Sequence, residues 1–306
     1  MSILVVGSVA FDNIETPFGK VKDVVGGSAI YFSISASFFV PVKLVAVMGH
    51  DFPKDVCRFL TKRNVNLDGL ETVDGLTFRW EGRYGNDLNV AETINTELNV
   101  FSNFSPKLPV HYRDAEYIFL ANINPELQED VIKQVRKPKI IACDTMNHWI
   151  RDKRDALIKT LGRVDIVVIN EGEARLLAQE QNLIKAGKKI LDSGIRAIVI
   201  KRGEYGALYM DKKTMFMVPA YPLEKVSDPT GAGDSFGGGF MGYLAKSTRN
   251  VPKEKIFSRK YICEAVIHGS IMGSFCVEDF SINMFKQLNL SDIKKRYNEF
   301  AKFISF

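Results

Sequence analysis

The chain has little that would staple it, anchor it or bind it to a polyanion. Its four cysteines, Cys57, Cys143, Cys263 and Cys276, are scattered through 306 residues with no C-x-x-C pair. That excludes a disulfide framework and a structural zinc site of ordinary spacing, and it suits a reducing, cytoplasmic setting. No stretch approaches the ~18 uncharged apolar residues of a membrane span, and MSILVVGSVAFD has no basic residues ahead of its apolar run, so neither a membrane nor an export signal is expected. Excess charge is scarce too: 41 Lys and Arg against 36 Asp and Glu leave +5. The lysines are dispersed on stretches that read as helix faces, such as Lys185, Lys188 and Lys189 or Lys294 and Lys295, which is solvation and not a nucleic-acid footprint. Three motifs are missing, and each removes a chemistry. There is no G-x-x-x-x-G-K-[ST], no H-E-x-x-H, and no glycine fingerprint after the first apolar run, where Gly7-Ser-Val-Ala stands instead. A Walker-type phosphate cradle, a zincin site and a nicotinamide oxidoreductase are thereby disfavoured. Linkers, internal repeats and low-complexity segments are also lacking.

What is present is a core. Hydrophobic residues make up 46% of the chain, and a chain of this length buries roughly 75% of its unfolded surface. The length fits two domains of about 150 residues, or one α/β domain with an appendage. Short apolar runs recur at Ile3 to Ser8, Val42 to Val47, Tyr117 to Leu120, Ile140 to Cys143, Asp165 to Ile169 and Ile198 to Lys201. They do not alternate, as expected of strands buried on both faces of a parallel sheet. Between them, Glu126 to Arg136, Arg151 to Leu161, Glu173 to Gln181 and Leu183 to Ser193 carry helical spacing and read as crossovers. Two inserts, at about 12–25 and 77–101, break this rhythm with alternating sequence such as Thr77 to Tyr84. They predict a small separate sheet lying over the main domain as a lid.

The stretch richest in chemistry is Asp228-Pro-Thr-Gly-Ala-Gly-Asp-Ser-Phe-Gly-Gly-Gly-Phe240, read as running from a strand end into an apolar helix. Gly231, Ala232 and Gly233 at a helix N-terminus leave backbone N–H groups unobstructed, an anion site suited to phosphate. Asp234 then falls in the first turn, beside the anion. A carboxylate there is either a general base or an N-cap on a glycine-rich turn. The following Gly237-Gly-Gly239-Phe-Met-Gly242 formally satisfies G-x-G-x-x-G, but it lies within the helical run and reads as close helix packing. The four histidines do not pair by spacing; His268 is either structural or placed near an adenine.

These residues carry a resemblance. DPTGAGDSFGGGF resembles the carboxyl-terminal signature of the ribokinase-like, or PfkB, family of carbohydrate and nucleoside kinases. Gly26-Gly27-Ser28-Ala29 resembles its amino-terminal glycine pair, Asn170-Glu-Gly-Glu173 its N-x-x-E motif, and Lys201-Arg-Gly203-Glu-Tyr-Gly206 its K-x-G-x-x-G stretch, while Asp12 stands where the family places a substrate-hydroxyl ligand. All five occur in family order. The resemblance implies a single ribokinase-like α/β domain with a β lid, and an ATP-dependent kinase of a hydroxymethyl group on a nucleoside or sugar. In it Asp234 is the general base and the Gly231, Ala232 and Gly233 amides hold the phosphoryl oxygens. Asn170 and Glu173 act on the Mg²⁺ shell and phosphates. Lys201, Gly203 and Gly206 border the nucleotide, and Asp228 and Thr230 help form a loop for a monovalent cation, K⁺. Lid strands in this family either pair into a homodimer or stay monomeric.

For the acceptor, the resemblance gives Asp12 two hydroxyls to hold and lets the substrate approach at Gly26 and Gly27. Arg79 and Arg83 alternate on the second insert, either facing the site or forming a solvated strand face. Tyr31 departs from the family pattern, where ribokinases commonly carry a sugar-binding Asn. With Phe11, Trp80 and Tyr84 it forms either an aromatic wall for a nucleobase or lid core. Nucleoside and free sugar remain near even, with a slight lean to the nucleoside. A phosphorylated sugar is less expected, since no basic cluster is available for a second phosphate. A non-catalytic nucleotide- or sugar-binding protein of the same fold is the alternative, and the presence of Asp234, Asn170 and Glu173 argues against it.

Overall fold

A computed structural model describes residues 1–304. Thirteen strands and twelve α-helices, with three short 3₁₀ turns, make up their regular structure. The strands are β1 (Ile3–Val6), β2 (Ala10–Thr16), β3 (Gly19–Gly26), β4 (Val42–Met48), β5 (Val65–Thr72), β6 (Phe78–Tyr84), β7 (Ala91–Glu97), β8 (Tyr117–Leu120), β9 (Ile140–Cys143), β10 (Ile166–Asn170), β11 (Ala197–Lys201), β12 (Ala207–Asp211) and β13 (Met215–Val218). The helices are α1 (Ser28–Ser37), α2 (Lys54–Lys62), α3 (Pro125–Gln134), α4 (Asn147–Asp152), α5 (Arg154–Leu161), α6 (Glu171–Ala178), α7 (Leu183–Asp192), α8 (Ala232–Ser247), α9 (Lys253–Ile256), α10 (Arg259–Cys276), α11 (Asn283–Gln287) and α12 (Leu290–Ile304). Among the described residues no helix is long and apolar enough to cross a membrane.

Nine strands form one sheet in the order β13-β12-β11-β10-β9-β8-β1-β4-β5, all running the same way except β12, which pairs antiparallel with both β11 and β13. The absence of alternation in the apolar runs has a direct cause. In β1, Ile3 and Val5 pack into one core with α1, α8 and α10, while Leu4 and Val6 pack into a second core under α3, α5, α6 and α7. Both faces are covered, so every position of β1 is buried.

The edge strands β5 and β13 are not legible as apolar runs, and the interior strand β12, buried over Ala207 to Met210, was not among the runs expected. In β13 the pattern is alternating, with Met215 and Met217 exposed. The helix expected over Arg151 to Leu161 is two, because Lys153 leaves helical geometry (φ −132°, ψ 34°) and ends α4 before α5 begins. The expected strand before Asp228 is also absent. After β13 the chain runs as a loop to Gly231, where Pro219, Pro222 and Pro229 cannot donate to a ladder.

The second sheet, β3-β2-β6-β7, comes from the two inserts. Its β2–β3 and β6–β7 pairs are antiparallel, while β2 and β6 run parallel, Asp12 opposite Trp80. The register puts Asp12, Ile14 and Thr16 on the same side as Trp80 and Tyr84. That side faces the large sheet: Thr16 Oγ1 donates to the Ser227 carbonyl (3.0 Å) and Thr230 Oγ1 bonds Tyr84 Oη (3.2 Å). Glycines in α8 serve helix packing, as a Cβ at Gly238 would lie 2.5 Å from the Phe32 carbonyl oxygen.

Candidate active site

The winding of the large sheet reverses beside β1. The chain runs outward through β4 and β5, then returns to β8 on the other side and continues to β11. In such sheets the crevice at the carboxyl ends of the strands, at the reversal, is where ligands bind. Asp12 follows β1, Asp144 follows β9, Asn170 ends β10, and Lys201 ends β11 directly beside it in register. The N-terminus of α8 closes the crevice.

Gly231 caps α8 in the left-handed region (φ 75°), and a Cβ there would lie 2.4 Å from the Tyr31 ring. Only glycine fits both demands. The first-turn amides of a helix lack intrahelical partners, and that of Gly233 lies in the turn against which Lys201 packs. Ala232 is different: its N–H closes a turn onto the Pro229 carbonyl (3.2 Å), so the expected three-amide cradle is reduced by one. A Cβ at Gly233 would lie 2.8 Å from Lys201 Nζ, so the ammonium rests against the anion turn.

Five buried carboxylates are strung along the crevice, coupled to one another through their charges. Asp234 is pushed up to about 7 by burial and by Asp144, against the pull of Lys201. Burial and Asp144 likewise lift Glu173 to about 7, although Lys201 and the Asn170 amide oppose the shift. Asp12 is only 4% exposed, and burial followed by Asp228 and Asp234 raises it to about 8. Asp228 is fully buried and raised by that burial; its Oδ1 accepts from the Thr230 N–H (2.9 Å) and its Oδ2 from the Ser281 N–H (3.4 Å). Asp144 pairs with Lys201 Nζ at 3.2 Å. Burial works against the charge of Lys201, yet Asp144, Glu173 and Asp234 together hold it above its ordinary value.

Glu173 and Asn170 form a capping box at the start of α6. Asn170 Oδ1 accepts from the Glu173 N–H (2.8 Å), and Glu173 Oε2 accepts from the Asn170 N–H (2.7 Å). One carboxylate oxygen of Glu173 is thus committed to the helix. Gly203 and Gly206 sit in the turn between β11 and β12, where Asn89, from the lid loop between β6 and β7, packs on Gly203. The lid therefore reaches the K-x-G-x-x-G turn. The Asp12 carboxylate lies flat on Gly26, where a Cβ would be 1.8 Å from Oδ2. Gly27 takes a positive φ of 99° to bring α1 onto the Ser8 carbonyl. Tyr31 is 1% exposed, and its buried Oη finds no partner.

Three expected site residues do not join the cluster. Arg79 and Arg83 lie on the lid face opposite Asp12: Arg79 covers the Phe11 ring (4.9 Å) and pairs with Asp23 and Asp51, and Arg83 pairs with Glu92 at 2.8 Å on the exposed side. Period-two alternation along β6 sets this, since Tyr84 takes the inner face and forces Arg83 outward. Phe11 shares the outer face and packs on Phe52, outside any aromatic wall. His268, in mid-α10, stacks on Tyr243 (3.7 Å) and Tyr297 (5.1 Å), with Nδ1 bonded to the Glu264 carbonyl oxygen. Burial pulls it down to about 4. The ring is 9% exposed and packs between Tyr243 of α8 and Tyr297 of α12, as the structural reading expects. Asp144, which sequence reasoning missed, has one signal: it follows the buried run Ile140 to Cys143 as Asn170 and Lys201 end theirs.

Residues 2–281 match the model of the pfkB family carbohydrate kinases. The cytidine kinase of Thermococcus kodakarensis is 30% identical over 262 residues, covering 83% of this chain and 91% of that one. An inositol 3-kinase of Arabidopsis thaliana is 24% identical over 304 residues, 95% of this chain and 78% of that protein. Among solved structures, the ribokinase of Cryptococcus neoformans in complex with ADP superposes with a TM-score of 0.77 at 21% identity, over 96% of this chain and 99% of its own. Fold, motifs and family model agree: the chain belongs to the pfkB family of carbohydrate and nucleoside kinases and is a phosphotransferase.

Proposed function

We propose that this chain transfers the γ-phosphoryl group of ATP to the hydroxymethyl group of a nucleoside, with Asp234 as general base. What supports the reading is that Asp234 and the Gly233 turn lie against Lys201 at the start of α8, with Asp12 opposite Trp80 in the lid sheet. Phosphoryl transfer draws its rate mainly from positioning and charge stabilisation, which such a frame supplies. Asp12 accepts two acceptor hydroxyls, and Gly26 and Gly27 let the ring approach the backbone. Tyr31, with its unpartnered hydroxyl, lines the floor. Asp234 takes the proton of the attacking oxygen.

The donor set supports cations at this site. Five carboxylates, Asp12, Asp144, Glu173, Asp228 and Asp234, stand against one lysine. A polyanionic nucleotide enters such a site only with counter-ions. Among the described residues no three His, Cys, Asp or Glu side chains converge on one point, which fits Mg²⁺ held largely by water and phosphate oxygens. Glu173 and Asn170 would hold it through water. When bound, it would neutralise developing charge on the phosphates. Asp228, buried without a cationic partner among the described residues, and Thr230 suit K⁺ at the loop before α8.

The nucleoside lean rests on Trp80 and Tyr84 sharing the face of Asp12, on the outward turn of Arg79 and Arg83, and on the similarity to a cytidine kinase. The test is ADP release from ATP, Mg²⁺ and K⁺ across nucleosides, free pentoses and hexoses, and inositol. Turnover with a nucleoside upholds the proposal, and turnover with a sugar or cyclitol alone moves the acceptor class. Silence across the panel favours the binding-only reading.

A further inference from the structure

Lys201 is the one cation among the described residues that reaches the five-carboxylate cluster. It leaves β11 beside Asn170, and its Nζ stops 2.8 Å from where a Gly233 side chain would begin. Asp144 Oδ2 is its hydrogen-bond partner, at 3.2 Å. An ammonium carries three donors, so one bond to Asp144 leaves two N–H groups at the anion turn. A buried ion pair is poor value for stability, because the desolvation of both charges roughly cancels their attraction. Position, and not stability, is what the arrangement supplies. A strand-end lysine with a merely structural task would have no reason to be threaded against the one helix turn that bears the Gly233 amide and Asp234.

Resting on the kinase reading above, we propose that Lys201 is a catalytic residue that donates directly to the oxygens of the phosphoryl group in flight, and that Asp144 is the positioning carboxylate that holds it at Gly233. In the step, the acceptor oxygen forms its bond to the γ-phosphorus while the bond from that phosphorus to the β–γ bridging oxygen breaks. The electron pair leaves with ADP, and the acceptor proton passes to Asp234. Lys201 keeps its proton throughout and offsets charge on the equatorial oxygens. Its contribution is therefore largest in the transition state.

The experiment compares wild type with Lys201→Met, Lys201→Arg and the double variant Lys201→Met/Asp144→Asn, which removes the hydrogen-bonded carboxylate together with its ammonium if the single variant fails to fold. Steady-state turnover is read with the acceptor identified for the wild type, and calorimetry reads binding of ADP alone and of ADP with aluminium fluoride, a mimic of the transferring group. The expected result is a fall in kcat of about 10²–10³, ATP and acceptor KM within a few-fold of wild type, and ADP affinity preserved. The tighter binding given by aluminium fluoride is lost, and Lys201→Arg restores part of both. Wild-type-like kcat in the double variant overturns the proposal. So does a loss of ADP affinity that matches the loss of kcat, which would make Lys201 a ground-state ligand. A wild-type protein that transfers no phosphoryl group to any acceptor, yet tightens on ADP with aluminium fluoride, overturns the kinase reading and leaves Lys201 to be judged by the fluoride complex alone.

Discussion

Lowering the pH through 7 should switch the phosphotransferase off far above the range of an ordinary aspartate. Asp234 in its first-turn position is lifted from 3.8 to about 7, mainly by burial and next by Asp144, while Lys201 restrains the rise. The active form of a general base is the ionised one, so activity is present above the folded pKa and falls as pH drops through it. With a pKa near 7, roughly 90% of the enzyme is competent at pH 8 and roughly 10% at pH 6. An unperturbed aspartate would leave activity flat to about pH 5. The assay is kcat/KM for the acceptor between pH 5 and 9 at saturating Mg²⁺, because that ratio reports the free enzyme. Glu173 is lifted into the same range, so the limb belongs to the cluster, and Glu173→Gln is run beside wild type to separate the two. A limb near pH 4, or one that vanishes in Glu173→Gln, would refute the assignment of the base.

Three further outcomes follow from the same geometry. Asp12 is held at about 8 against an ordinary 3.8. Its contribution to stability is fully present below 3.8 and is lost as pH rises through 8, a difference of at most ~6 kcal/mol. Asp12→Asn should therefore melt several degrees above wild type at pH 9 and near it at pH 4, while binding acceptor far more weakly; equal melting at both pH values would contradict the burial of this carboxylate. Gly231→Ala combines a positive φ with a Cβ inside the Tyr31 ring, and should cost about 1–3 kcal/mol in urea melts and at least tenfold in kcat. Arg83→Ala should leave acceptor KM within twofold and stability within about 0.5 kcal/mol, because its partner Glu92 is on the exposed lid face; a tenfold rise in KM would place Arg83 in the site after all.

Most of the frame was legible because burial leaves a strong mark on sequence. Strands covered on both faces need unbroken apolar residues, so β1, β4, β8, β9, β10 and β11 stood out, whereas β5 and β13 have one face or edge in solvent and carry mixed patterns. Of the site, the residues in glycine-rich turns were readable, since Gly231 and Gly27 announce backbone that other residues resist. Asp144 was not, because a single carboxylate after a strand has no spacing to mark it; only the packing of β9, β10 and β11 side by side brings it to Lys201. The face on which a lid arginine stands depends on which neighbour turns inward. Tyr84 decides that for Arg83 through its bond to Thr230, 146 residues away in sequence. His268 was ambiguous for the same reason, as Tyr243 and Tyr297 reach it from other helices.

The most direct test is a single-turnover rapid-quench experiment with γ-labelled ATP, Mg²⁺, K⁺ and cytidine, comparing wild type with Asp234→Asn. The account predicts label on the hydroxymethyl oxygen of the nucleoside, formed about 10²–10⁴ times more slowly in the variant although both proteins bind ATP alike. Equal rates in the two proteins, or no label on the nucleoside while a sugar or inositol is labelled, would contradict it.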